Sequence, residues 1–144
     1  MVDKARLETV INQIYDARIR GDVDEILRHM DEAVEFSIAG CAASSAIPCT
    51  VVGTAALRDA LGQLISAFEF RDRRMLDVMI DQDRAVVHWK VQVRVPASGE
   101  EAETDLLDIV RFRGDKVLSY KQFADTALAS RLLASGQQAS GQAH

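Results

Sequence analysis

The chain has 144 residues, 48% of them hydrophobic and 27% charged, the size and mix of a single globular domain. This composition excludes a wholly disordered chain, and 8 Gly against only 2 Pro exclude a collagen-like one. Seventeen basic against 22 acidic residues leave a net charge of −5, which argues against a nucleic-acid binder.

The first predicted element is a helix over about residues 3 to 20. Leu7, Val10, Ile11, Ile14 and Ala17 recur at helical spacing, Asp3 can cap the start and Gly21 ends it. Asp22 opens a second helix, with Glu25 three residues on in a capping-box-like arrangement, and Val23, Ile26, Leu27 and Met30 form its apolar side. Residues 33 to 38 alternate and read as a strand. Residues 40 to 53 hold Gly, Pro, Ser and both cysteines and read as loop. Gly53-Thr54 precedes a third helix over about 54 to 68, with Leu57, Leu61, Leu64, Ile65 and Phe68 on one side.

Beyond this point the period changes from 3.6 to 2. Strands are predicted at about 74–80, 84–95, 103–113 and 116–124, joined by short turns that favour antiparallel neighbours. The charge runs Arg71-Asp72-Arg73-Arg74 and Glu100-Glu101 read as solvated turns. Asp125 can cap a last short helix bearing Leu128, Leu132 and Leu133. Residues 135 to 144 carry no apolar side chain larger than Ala and read as a flexible tail behind a single domain over 1–134. Helices set apart from a mostly antiparallel sheet make an α+β fold.

Cys41 and Cys49 have no Cys-x-x-Cys spacing and read as plain reduced thiols. No apolar run approaches the ~18 residues of a membrane helix, and the N-terminal stretch has no apolar secretory core. These features predict a cytoplasmic protein. No His, Cys or carboxylate cluster has metal-ligand spacing and no Gly-rich phosphate loop is present, so neither a metal nor a cofactor is expected.

Four stretches carry a family resemblance: Arg18-Ile19-Arg20-Gly21-Asp22-Val23-Asp24, Asp31-Glu32-Ala33-Val34-Glu35-Phe36, Val52-Gly53-Thr54-Ala55-Ala56-Leu57, and Leu106 to Val117 with its Asp108-Ile109-Val110-Arg111-Phe112 core. In this order and spacing the chain resembles the nuclear transport factor two-like superfamily over about residues 5 to 133. That superfamily includes ketosteroid isomerase, limonene epoxide hydrolase, scytalone dehydratase and the SnoaL-like polyketide cyclases. The resemblance implies a curved, mostly antiparallel sheet wrapped around three N-terminal helices, with a conical cavity between them. It is specific for the fold and not for an activity.

Strand alternation predicts that Val87, Trp89, Val91, Val93 and Val95 face inward while His88, Lys90, Gln92 and Arg94 face outward. For 103–113 the resemblance chooses the face. The oxyanion-hole acid of ketosteroid isomerase matches Asp108, which places Asp108 inside and leaves Leu107 and Ile109 outside as a homodimer surface. A carboxyl in an apolar cavity is expected to be pushed up by burial, so that it could donate a hydrogen bond as a neutral acid. The handling of such an acid in ketosteroid isomerase is a known example of this effect.

Tyr15 and Tyr120 are the candidate partner donors, although counting back from Gly21-Asp22 puts the isomerase tyrosine on Ile14. His29 is the candidate for dehydratase-like chemistry. The isomerase's general base falls near Ser37, which cannot take a proton. The hydrolase's Arg-x-Asp pair and second Asp fall on Lys90, Gln92 and Gln122, so that chemistry is not expected. The expected cavity wall is Ile11, Phe36, Ile38, Leu61, Phe68, Trp89, Val110 and Phe112, with Gln122 as a polar group. The expected function is an isomerase, lyase or cyclase acting on a small hydrophobic carbonyl compound. The alternative is a non-catalytic small-molecule binding or dimerisation domain.

Overall fold

The structure is a computed structural model that describes residues 2–40 and 49–142, with side chains described up to residue 134. Helix α1 (Lys4–Arg20) is capped by the Asp3 side chain, which accepts from the Arg6 backbone N–H, and is closed by Gly21 in the left-handed conformation at φ 72°. Helix α2 (Val23–Arg28) begins on Asp22, which accepts from the Glu25 N–H. Met30, expected on that helix, instead opens strand β1 (Met30–Ile38).

A short strand, β2 (Thr50–Val52), pairs antiparallel with β1 inside the stretch expected to be loop. Helix α3 (Thr54–Ala67) follows, then strands β3 (Glu69–Asp81), β4 (Arg84–Arg94), β5 (Glu101–Arg113) and β6 (Lys116–Phe123), and helix α4 (Thr126–Gln142). Together these elements form an α+β fold with a single open six-stranded sheet in the order β2-β1-β6-β5-β4-β3. The β3–β6 meander is antiparallel, and β1 joins it by pairing parallel to β6. The sheet is therefore mixed, since only the sequence-adjacent strands can use tight hairpins.

Three local expectations are corrected. The run Arg71 to Arg74 belongs to β3 and not to a turn. A register shift between Arg71 and Arg74, with Asp72 at φ 51°, makes a bulge there, so the alternation is interrupted where the charges cluster. Helix α4 continues to Gln142, past the expected tail boundary at residue 135. Its Ala and Gln residues favour helix, and no Pro interrupts them. Cys49 is disulfide-bonded, which overturns the expectation of a reduced thiol. The spacing matched no motif that would have revealed it, and Cys41 lies outside the described residues.

The inner face of the sheet and the three N-terminal helices share one apolar core. Leu7, Val10 and Ile14 of α1 and Leu57 and Leu61 of α3 meet Val87, Trp89, Val91 and Leu106 of the sheet. Each such burial stabilises the fold by about 1.5–3 kcal/mol. No helix among the described residues is long and apolar enough to cross a membrane. No group of three or more His, Cys, Asp or Glu among them could hold a metal ion.

Candidate functional site

The alternation of β5 puts Leu106, Asp108, Val110 and Phe112 inside and Leu107, Ile109 and Arg111 outside. Asp108 is fully buried. In the sheet it stands between Val87 of β4 and Gln122 of β6. Four side chains from three elements converge on its carboxyl group. Tyr15 of α1 donates to Oδ2 at 2.7 Å, Trp89 Nε1 of β4 donates to the same oxygen at 2.8 Å, and Tyr120 of β6 also donates to it. Gln122 Nε2, from the end of β6, donates to Oδ1 at 3.0 Å. Two aromatic contacts brace the set: Tyr15 stacks on Trp89, and Phe36 lies 5.7 Å from Tyr120.

A cavity of about 120 Å³ opens beside this cluster. For comparison, an apolar cavity of ~150 Å³ accommodates benzene. Tyr15, Trp89, Tyr120 and Gln122 all line it, together with Phe36, Ile38, Leu61 and Phe68. Leu128, Ala129 and Leu132 of α4 cover another side, and Asp125 and Thr126 sit where β6 passes into α4. Asp108 is not on the wall. It lies behind the four donors that are, so it can reach a ligand only through them.

The remaining candidates lie elsewhere. Ile11, Val110 and Phe112 are buried but do not line the cavity. Ile11 sits about a turn before Ile14 and Tyr15, while Val110 and Phe112 lie toward the β5–β6 turn, where side chains fill the core. His29 is buried at the end of α2 and bonds Glu25 of its own helix at 3.1 Å, away from the cavity. His29 is the residue that ends α2, and its ring turns back to Glu25, while Ile26 before it and Met30 after it line the cavity.

Arg18 was not singled out by the sequence, yet it lines the cavity. The signal was available, because Arg18 follows Ile14 by four and Tyr15 by three residues and so shares their helix face. Asp125 and Thr126, read only as the start of a helix, were missed in the same way.

Burial pushes the Asp108 carboxyl up, and the hydrogen bonds from Tyr120, Tyr15, Gln122 and Trp89 pull against that. Burial, reinforced by the neighbouring Asp108, also pushes Tyr15 and Tyr120 well above the ordinary tyrosine value. Both phenols therefore keep their protons at neutral pH. When Asp108 is ionised, both O–H groups point at it and only their lone pairs face the cavity. When Asp108 is protonated, its own O–H requires an acceptor in the cluster. A tyrosine that accepts it can turn its O–H toward a ligand.

A family model described as a SnoaL-like domain matches residues 11–120. The chain belongs to the SnoaL-like family. Several solved structures share its fold. A protein from Bacillus subtilis provisionally called an isomerase has 12% identity, covers 94% of this chain and 97% of its own, and superposes with a TM-score of 0.84. TerC, co-crystallised with polyporic acid, has 20% identity, 90% and 99% coverage and a TM-score of 0.78. A protein from Xanthomonas campestris pv. campestris provisionally called a polyketide cyclase has 13% identity, 90% and 98% coverage and a TM-score of 0.73. At these identities the likeness shows the fold alone. No curated protein matches the sequence. The SnoaL-like assignment accounts for the cone of sheet and helices, and for a cavity between them that can be furnished in many ways.

Proposed function

We propose that this SnoaL-like protein binds a small hydrophobic carbonyl compound in the cavity and isomerises, eliminates from or cyclises it. The observation that carries this reading is the convergence of four cavity-lining donors on the buried Asp108 carboxyl. With Asp108 protonated, a carbonyl oxygen seated against Tyr15 or Tyr120 would receive a phenolic hydrogen bond. As charge moves onto that oxygen in an enolate-like transition state, the same bond strengthens against the apolar wall. Asp108 is then a positioning residue that acts through the tyrosines, rather than the neutral acid in direct contact with substrate that the sequence suggested. Relatives of the same fold named as an isomerase and as a polyketide cyclase are consistent with this general kind of chemistry.

Such chemistry also needs a proton acceptor. Among the described residues on the cavity wall, Asp125 is the one carboxylate and no histidine is present. Its Oδ1 accepts from the Leu128 N–H at the start of α4, and its second oxygen is the candidate acceptor. This thin supply of bases favours a second reading, a module that binds its ligand without changing it.

Native mass spectrometry of the purified protein, followed by release and identification of bound molecules, tests the first requirement. Recovery of a small ring ketone at stoichiometric amount supports the reading. Turnover of that compound is then compared in Asp125→Asn, which keeps an N-capping side chain but cannot take a proton. Loss of turnover with binding retained supports an enzyme, and no turnover by the wild type supports the binding module.

A further inference from the structure

Arg18 sits on the last turn of α1 with its guanidinium 3.8 Å from the centroid of the Phe70 ring. Nη2 donates to the Phe68 carbonyl at 2.7 Å and to the Leu64 carbonyl at 3.4 Å, at the carboxyl end of α3. These bonds hold the head group in place but do not neutralise it. Among the described residues, no carboxylate lies within ion-pair distance of it. Two nearby acids are engaged elsewhere, Asp16 with Arg73 at 2.7 Å and Glu69 with Arg71 and Arg94, each at 3.2 Å, and Asp72, on the wall of the adjoining groove, makes no ion pair among the described residues. Asp125, at the cavity rim, caps α4.

Nη1 and Nε bond no described protein atom, and neither is a buried unsatisfied atom, so both face open space. Arg18 lines both the cavity and a groove between α1 and the start of β3. Burial lowers Arg18 to about 10, which leaves it charged at neutral pH.

A fixed, planar cation at the edge of an otherwise apolar cavity is the arrangement that pairs with a carboxylate through two parallel N–H donors. We infer that the natural ligand carries a carboxylate, which Arg18 receives while the ring of the ligand lies against Tyr15, Trp89 and Phe68. This deepens the proposed function and rests on it, since it names the class of compound that enters the same cavity. The stem of Arg18 follows the wall and its head lies against Phe70, so the charged end of the ligand belongs beside β3. Asp108 lies behind Tyr15 and Tyr120, whose phenols stand between its carboxyl group and an anion in the cavity.

The test uses cyclohexanecarboxylate and its neutral match, cyclohexanecarboxamide, titrated into the full chain at pH 7. Trp89, the single tryptophan and a wall residue, is the fluorescence reporter. The carboxylate is expected to bind about tenfold or more tighter than the amide, the order of a charge-assisted pair. Arg18→Met should abolish that preference, weakening the carboxylate far more than the amide, and Arg18→Lys should retain part of it. If Arg18→Met melts early for loss of its contacts to α3, the wild-type ratio and its decline with added salt still decide. Equal binding of the two compounds overturns the inference and leaves the cavity reading standing. Absence of binding by either compound overturns both.

Discussion

Tyr15 and Trp89 stack with ring centroids 4.3 Å apart and planes 15° from parallel, and both donate to the same oxygen of Asp108. One residue comes from α1 and the other from β4, so the shared acceptor ties the first helix to the centre of the sheet. It also places the only tryptophan in direct contact with a titrating group.

The emission of Trp89 should therefore report the charge on Asp108. A pH titration of fluorescence is expected to show a transition above the ordinary aspartate value of ~3.9, because burial moves Asp108 upward. The transition should be missing in Asp108→Asn. A flat wild-type profile between pH 4 and 9 would contradict it.

The same shift has a sign in stability. Asp108 has a folded pKa above its unfolded one, so its contribution is fully present below ~3.9 and is lost as pH rises through the folded value. Relative to Asp108→Asn, the wild type should lose stability as pH climbs from about 4. Urea unfolding of both proteins across that range would show the difference narrowing or reversing. A difference that grows with pH would mean that the four donors outweigh burial.

Asp108→Ala strips the acceptor from three buried donors and the half-buried Gln122 at once. Each buried donor left without a partner costs about 1–3 kcal/mol, and partial relaxation brings the expected loss to about 3–5 kcal/mol in denaturant unfolding at pH 7. Tyr120→Phe removes a single donor and should cost about 1–3 kcal/mol. It should also raise the Asp108 pKa further, since Tyr120 is the largest of the lowering influences, and carboxyl-carbon NMR would read that change.

The outer face of the sheet offers a surface for a second copy of the chain. Leu107 of β5 pairs in register with Phe123 of β6, while Ile109 stands beside Val86 and Val86 beside Met79. Leu107, Ile109, Phe123 and Met79 are all exposed, making a continuous apolar stripe across four strands. Wild type is expected to sediment as a dimer, and Ile109→Lys with Phe123→Lys as a folded monomer. A wild-type monomer at tens of micromolar would remove this interface.

The strand meander was legible because period-two patterns were unbroken over β4 and β5, and the helices because their apolar stripes were long. Facing on β5 was different. Both faces hold large aliphatic residues, so only the family resemblance placed Asp108 inside. Tyr15 matched that resemblance only to within one residue. The structure shows that Ile14 and Tyr15 both line the cavity, since the buried stripe of a helix is wide enough to include neighbours 100° apart. The parallel β1–β6 pairing was not legible, because it joins strands distant in sequence and no turn encodes it. Arg18 was overlooked because a charged residue near a helix end reads as solvated, and only the cavity around it gives it another meaning. Ile11, Val110 and Phe112 had the right facing, but alternation says nothing about how deep along a strand the open space extends.

Asp108 stands behind the wall, and α3 supplies Leu57, Leu61 and Leu64 to the wall without a side chain in the hydrogen-bonded cluster. Shape and chemistry are thus encoded in separate parts of the chain. A library confined to those three leucines and Phe68 would vary which molecules fit while the polar apparatus stayed unchanged. A lineage could likewise drift from one ligand to another by altering a single helix, which makes α3 the place to begin in retuning selectivity.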